Sequence, residues 1–245
     1  MDTPYVMLEV DRVVSTQDRA AEALEETGRS VLVVAAHQTG GRGRSGAEWW
    51  EPDRALLASL AFHPAWPPQR WWIIPLVAAL AIRQAVFESF AVTMMLKWPN
   101  DLFTPRGKVG GILTEATDER VVVGCGLNLW WSAPREGAAA VLVNDPGAAV
   151  VAPLARLWAD HLQQRLTGPP EAWGRDEYRD ACWTLGTEIV WEPEGRGVAI
   201  DIAPDGGLIV QTATGREVLR SGAVRSVRAA TLPAREERTG GEERL

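Results

Sequence analysis

The chain has 245 residues, 46% of them hydrophobic, so it can bury a sizeable core in one large domain or in one domain with a small appendage. Its formal net charge of −7 argues against general nucleic-acid binding, which usually requires a basic surplus. The two cysteines have no paired spacing, which favours two buried thiols in a reducing cytoplasm over a disulfide or a zinc site. The N-terminal stretch MDTPYVMLEVDR carries charges where a signal peptide needs an apolar core, so no export is predicted.

Residues 1–183 are predicted to form a first domain that mixes helices with strands. The strands are β-branched, apolar runs with turn-rich borders. Those between 93 and 129 follow one another with short links, which favours antiparallel pairing over repeated βαβ units. In chain order we predict a helix at about 17–27, strands at 31–36 and 56–62, a helix at about 74–90, strands at 93–98, 109–116 and 120–129, and a helix at about 151–166.

The longest apolar run, WWIIPLVAALAI, covers residues 71–82 and ends at Arg83. A membrane span needs roughly 20 such residues, so this run is too short. Pro75 suits the first turn of a helix. We therefore interpret the segment as a mostly buried helix and expect no membrane partner.

Residues 184–230 differ in composition and predict a small β-barrel or sandwich. They contain short alternating runs and glycine turns, among them the hairpin signal DGG at 205–207. The segment 231–245 is charged and contains glycine, so it is predicted to be a disordered tail.

The stretch GRGRSG at 41–46 matches the pattern G-x-G-x-x-G after an apolar strand. A dinucleotide-binding turn would need a helix to begin at the third glycine, but Pro52 interrupts any helix there. Flexible glycines with Arg42 and Arg44 could instead clamp a phosphate or a carboxylate. Taken alone, the stretch could also be a solvated basic turn.

Three further motifs place polar groups where apolar strands begin or end. KWPND at 97–101 sets a lysine, an asparagine and an aspartate around a proline, and KVGGILTE at 108–115 brings a lysine and paired glycines into a strand. GCGLN at 124–128 ends another strand in Asn128. Glycines inside an apolar strand indicate a close approach by a ligand or by another backbone.

QTGGRGRSGAEW, KWPNDLF, KVGGILTE and GCGLN occur in this order, downstream of a Ser-Thr pair at a helix start. From about residue 5 to 228 the chain resembles the biotin protein ligase family, in the form without an N-terminal DNA-binding domain. The resemblance implies an α+β fold: a mixed, largely antiparallel sheet with flanking helices, similar to class II aminoacyl-tRNA synthetases, plus a C-terminal barrel similar to Src-homology-3 domains. It also implies a ligase that uses ATP and Mg²⁺ to convert biotin to biotinyl-5′-AMP, and then transfers biotin to a lysine of a biotin carboxyl carrier protein.

The resemblance also implies roles for individual residues. Lys108, Arg42 and Asp101 would be catalytic, and Asp101 is the candidate magnesium ligand. Biotin would contact Ser15, Thr16, Gln38, Gly41, Arg42, Arg44, Lys108, Gly110 and Gly111, with its fused ring lying against the last two glycines. ATP and the adenylate would contact Arg42, Arg44, Trp49, Lys97, Asn100 and Asn128.

Three positions depart from the family pattern. Gln17 follows the Ser-Thr pair where an asparagine is common, and Val14 precedes it where an acidic residue is usual. Gly40 replaces a more usual alanine, which should loosen the glycine-arginine loop. The segment after Asn128 should contribute to the adenine pocket, with Trp130 and Trp131 as stacking candidates.

Two alternatives and two partner questions remain at this point. A lipoate ligase shares the architecture and the adenylate chemistry, and a non-catalytic biotin or nucleotide sensor would keep the site without turnover. Because nothing precedes Met1, we expect no helix-turn-helix DNA binding. Whether the chain is a homodimer is left open.

Overall fold

The computed structural model describes residues 4–43, 49–117, 119–220 and 224–226. Its main sheet consists of β1 (Val6–Val13), β2 (Val31–Gln38), β3 (Arg54–Phe62), β4 (Met95–Lys97), β5 (Asp101–Thr104), β6 (Gly107–Ala116) and β7 (Val121–Trp130). The strand order is β1-β2-β3-β7-β6-β5-β4. β1 and β2 are parallel and all other neighbours are antiparallel, which confirms the predicted mixed, largely antiparallel sheet.

Helices cover both faces of this sheet: α1 (Thr16–Thr27), α2 (Ile74–Phe90), α3 (Val151–Leu166) and a short α4 (Arg175–Ala181). Side chains alternate between the faces along a strand. Accordingly, Val31 and Val33 of β2 join the apolar cluster under α1, whereas Leu32 and Val34 join the larger cluster under α2 and α3. Burial on both faces explains why β2 is a continuous apolar run.

α2 is a core helix, as predicted. The segment Pro68–Phe90 is long and apolar enough to cross a membrane, but 61% of its most apolar window is buried inside the protein. Ten of the α2 residues are buried, so the folded core accounts for the hydropathy of this segment.

Sequence reasoning did not predict β1, β5 or α4, and it made β4 too long. β1 reads VMLEVDRV, and its charged residues hid the strand, which tolerates them because it lies at the sheet edge. β5 has four residues inside the KWPNDLF motif and α4 has seven, so both are too short to show a clear period.

A second sheet contains β8 (Glu188–Trp191), β9 (Gly195–Ile202), β10 (Leu208–Gln211), β11 (Arg216–Leu219) and β12 (Val224–Ser226), in the order β11-β10-β9-β8-β12. All its pairings are antiparallel, and the predicted DGG hairpin joins β9 to β10. The predicted small all-β unit is confirmed. The boundary between residues 183 and 184 stays a prediction, and the predicted tail at 231–245 lies outside the described residues.

Two tryptophans join the second sheet to the first part of the chain. Trp98 donates its indole N–H to the Gly206 carbonyl at 3.0 Å, and Trp173 donates to the Pro204 carbonyl at 2.9 Å. Both acceptors lie at the β9–β10 turn, so this turn is fixed against the chain segment that carries the KWPND motif.

The spacing of β6 and β7 gives a stability prediction. A Cβ at Gly110 would lie 2.3 Å from the Gly126 carbonyl oxygen, whereas one at Gly111 would lie 3.3 Å from its nearest atom, the Asn100 carbonyl oxygen. We expect Gly110→Ala to lower the free energy of unfolding by about 1–3 kcal/mol, because the strands must move apart. Gly111→Ala is the control, and its free energy of unfolding should fall by less than that of Gly110→Ala. Equal urea-unfolding curves for the two variants would contradict this packing argument.

Candidate active site

One cavity of about 730 Å³ gathers most of the predicted site residues. It lies between the start of α1, the strands β3, β5, β6 and β7, and the loops around residues 42, 49 and 135. Among the predicted residues its wall contains Ser15, Thr16, Gln38, Arg42, Trp49, Asn100, Asp101, Lys108, Gly110, Gly111 and Asn128.

The start of α1 forms a polar end of this cavity. Ser15 caps the helix, and its hydroxyl accepts a hydrogen bond from the Gln17 backbone N–H at 3.2 Å. The backbone N–H of Thr16 donates to the Gln38 side-chain oxygen at 2.8 Å, and its hydroxyl lies 2.8 Å from that of Ser59. Helix capping and strand β2 together therefore fix a compact set of donors and acceptors.

Lys108 and Asp101 form an ion pair in the cavity wall, with 2.6 Å between Nζ and Oδ1. A register shift in the β5–β6 ladder places Lys108 opposite Phe103. Without the shift Val109 would take that place and the Lys108 side chain would point to the other face. Asn100 supports the turn before β5, because its side chain donates to the Ile112 carbonyl at 3.0 Å.

Arg42 is held by carboxylates in this structure. Its guanidinium makes two hydrogen bonds to Asp18 on α1, at 2.6 and 2.9 Å, and lies 3.7 Å from Glu115 on β6. Hydrogen bonding to Arg42 is the main cause that lowers the pKa of Asp18. The arginine thus ties the glycine-arginine loop to α1 while it lines the cavity.

The glycines serve the packing of the protein itself. A Cβ at Gly126 would meet the Trp49 ring at 2.9–3.0 Å, and Gly41 accepts a hydrogen bond from the Trp49 backbone N–H at 3.2 Å. Gly110 lines the cavity, and its missing Cβ also makes room for the backbone of β7. That a ligand ring lies against it stays a prediction.

Other residues that were predicted to contact a ligand make contacts within the protein or lie beside the cavity. Lys97 does not line the cavity, and its ammonium lies 5.6 Å from the centroid of the Phe103 ring. Asn128 lines the cavity as predicted, and its side chain also donates to the Ala139 carbonyl at 2.9 Å, which braces the segment after β7. Gly41 lies beside the cavity beneath Trp49, and Arg44 lies outside the described residues.

Sequence reasoning missed six polar or aromatic members of the wall: Gln17, Trp50, Ser59, Trp98, Arg135 and Glu136. Ser59 is fully buried within the apolar run LLASLAF, and a lone hydroxyl in such a run was the available signal. Arg135 lies 3.5 Å from the centroid of the Trp50 ring, which connects two loops across the cavity mouth. Of the two adenine-stacking candidates, Trp131 lines the cavity and Trp130 does not.

The two cysteines are buried and free, as predicted. Cys125 lies in the cavity wall, but burial raises the pKa of its thiol, and burial likewise raises the pKa of Cys182. Both therefore stay protonated at neutral pH and lack the thiolate needed of a nucleophile.

No cluster of three or more His, Cys, Asp or Glu side chains suited to a metal ion occurs among the described residues. In the described part of the cavity wall the acidic side chains are Asp101 and Glu136. Mg²⁺ usually binds one or two carboxylates together with substrate phosphates, so this wall fits a metal that arrives with a polyphosphate.

Residues 9–146 match the model of the biotin/lipoate A/B protein ligase family. The chain belongs to this family. It is 34% identical over 221 residues to a biotin–[acetyl-CoA-carboxylase] ligase of Mycobacterium tuberculosis, covering 83% of this chain and 80% of that one. A ligase of the same name from Paracoccus denitrificans is 30% identical, with 85% and 95% covered.

Among solved structures, the biotin protein ligase from Aquifex aeolicus in complex with biotin and ATP superposes with a TM-score of 0.75. The two share 25% sequence identity, and the match covers 90% of this chain and 99% of that one. The fold of this family member is therefore shared along nearly the whole Aquifex chain, including its C-terminal part.

The Asp18–Arg42 pair gives a prediction for the glycine-arginine loop. Asp18→Asn should weaken the pair, so amide hydrogen exchange in the segment 38–43 should become faster, as measured by mass spectrometry. In the wild type, the protection of these amides, measured against the intrinsic exchange rate at each pH, should persist until the pH falls through the lowered pKa of Asp18, because the carboxylate is needed for the pair.

Glu22→Gln is the control, since Glu22 lies exposed on the same helix and pairs with Arg19 instead. Unchanged exchange in Asp18→Asn would show that the ion pair does not hold the loop.

Proposed function

We infer that this chain is a biotin protein ligase. It activates biotin with ATP as biotinyl-5′-AMP and transfers the biotinyl group to a lysine of a carrier protein. The observation that carries this conclusion is the cavity itself: a polar end built by α1 and β2 and a cationic wall at Lys108 occupy one space in a member of this family. The Mycobacterium and Paracoccus relatives bear the name of this activity, and the Aquifex structure holds both substrates.

We propose that biotin places its ureido ring at the polar end. Ser15, Thr16 and Gln38 offer hydroxyl and amide groups there, held by the cap and the hydrogen bonds of α1. A short polar end in a largely apolar cavity fixes the orientation of a ligand. The carboxylate of biotin then extends toward Lys108 and Asp101.

In the first step a biotin carboxylate oxygen attacks the α-phosphorus of ATP and pyrophosphate leaves. Both reactants are anions, so a fixed cation between them lowers the barrier. Lys108 supplies that cation, and Asp101 orients it through the 2.6 Å ion pair. In the second step the carrier lysine amine attacks the acyl carbon and AMP leaves. Asp101 lies in the cavity wall, and we propose that its carboxylate accepts the proton that the amine loses.

The roles of the loop arginines are divided in this proposal. Arg42 anchors the loop through Asp18, and Arg44 is proposed to meet the phosphates. Mg²⁺, when bound with ATP, would neutralise part of the phosphate charge, and Asp101 and Glu136 are the carboxylates of the described wall that could contact it.

A biotin carboxyl carrier domain of a carboxylase is the proposed protein partner, as the names of the relatives indicate. A cytoplasmic location is supported by the two free, buried thiols, which suit a reducing compartment. Lipoate ligation is the second candidate, because the family model covers both activities.

Purified protein with MgATP should exchange labelled pyrophosphate into ATP when biotin is present. Lipoate should not support this exchange, because its dithiolane ring has no N–H groups for the polar end. Mass spectrometry should show one biotin added to a carrier lysine. Exchange with lipoate alone, or with neither acid, would refute the assignment.

Lys108→Ala should lower biotin-dependent pyrophosphate exchange by at least about 10²-fold, the usual loss for a group that meets charge developing in a transition state. Unfolding should be little affected, since Lys108 is partly exposed. Lys97→Ala is the matched lysine variant. Because Lys97 lies outside the cavity, exchange should remain near wild type. If Lys97→Ala lost exchange and Lys108→Ala kept it, Lys97 and not Lys108 would be the lysine that acts on the substrates.

A further inference from the structure

Gln17 carries a buried hydrogen-bond acceptor that has no partner. The residue is 5% exposed and lines the cavity. Its Oε1 is buried and receives no hydrogen bond in the part of the chain that the structure describes. A buried polar atom without a partner costs about 1–3 kcal/mol, so such an atom in a cavity wall calls for an explanation.

The orientation of the Gln17 amide is fixed by its other end. The Nε2 group faces two acceptors, the Leu113 carbonyl at 3.4 Å and a Glu115 carboxylate oxygen at 3.3 Å. Turning the amide over would bring its oxygen against both, so the oxygen stays where it is. Oε1 can therefore only accept, and it needs an N–H or O–H donor.

The acceptor lies beside the polar end of the cavity. A Cβ at Gly124 would be 2.9 Å from Gln17 Oε1 and 3.3 Å from Ser59 Oγ. Ser59 in turn lies 2.8 Å from the Thr16 hydroxyl. Because Gly124 has no side chain, the Gln17 amide packs directly on β7, and its Oε1 lies near Ser59 among the groups proposed to receive the ureido ring.

We propose that Gln17 determines ligand specificity by accepting a hydrogen bond from a ureido N–H of biotin. The proposal rests on the function inferred above and assigns to it a residue beyond Ser15, Thr16 and Gln38. A cyclic urea carries two N–H donors, so it satisfies the free oxygen. A dithiolane ring has none and gains no hydrogen bond from this oxygen, so the site favours the urea over the dithiolane.

The experiment compares two variants that each remove an unpartnered buried oxygen. Gln17→Met keeps the length of the side chain, and Thr114→Val removes a hydroxyl that is also buried and unpartnered but lies outside the cavity. Biotin binding is measured by calorimetry without ATP. We expect about tenfold weaker binding for Gln17→Met, the loss of one buried hydrogen bond, and an unchanged Kd for Thr114→Val. Equal affinities for both variants and the wild type overturn the proposal.

A second measurement changes the ligand instead of the protein, and it compares the wild type with the folded fraction of Gln17→Met. The ligand is a cyclic carbamate analogue, in which an oxygen replaces one ureido N–H, prepared as both positional isomers. The wild type should bind at least one isomer about tenfold more weakly than biotin, and folded Gln17→Met should lose that discrimination. Discrimination that persists unchanged in the variant overturns the role of Gln17 alone. Absence of biotin binding by the wild type refutes the proposed function itself.

Discussion

The pairing register of β5 and β6 is the constraint on which the candidate chemistry depends. The shift between Leu102 and Phe103 adds one residue to β6 and turns Lys108 onto the face that carries Asp101. Their 2.6 Å ion pair follows from that single irregularity. In a regular ladder Lys108 would point toward the opposite face of the sheet, and the cavity would lose its central cation.

The cavity can recognise both a neutral polar group and a charged group, because α1, β5 and β6 all begin beside it. The capped start of α1 supplies neutral donors and acceptors, whereas β5 and β6 supply the charged pair. β7 forms the floor between them, and its glycines leave room for Gln17 and Trp49. A ligand with a neutral polar ring at one end and a carboxylate at the other matches this distribution of groups.

Several side chains that would carry charge to a ligand are engaged by the protein itself. Arg42 binds Asp18, and Lys97 lies over the Phe103 ring. Charged groups in sequence motifs therefore do not all serve the ligand. Some hold the loops and strands in place, and only the three-dimensional contacts separate these two uses.

The fold could be predicted from the sequence to a large extent, because long apolar periods are local signals. The helices at 16–27, 74–90 and 151–166 and strands such as 31–38 and 121–130 were found with small errors at their ends. The hydrophobic periodicity did not reveal β1, β5 or α4. β1 is an exposed edge strand with charged residues, and β5 and α4 are too short to show a period.

The sequence by itself determined the family, the order of the motifs and many of the polar residues in the cavity wall. These depend on residue type and spacing along the chain, which KWPND and KVGGILTE display directly. The tertiary structure decided which side of a strand each group faces and which partner it has already taken. It moved Lys97 out of the cavity, gave Gly110 a packing role and showed Gln17 with a free acceptor. Register, hydrogen-bond saturation and contact between distant segments are set only when the chain is folded.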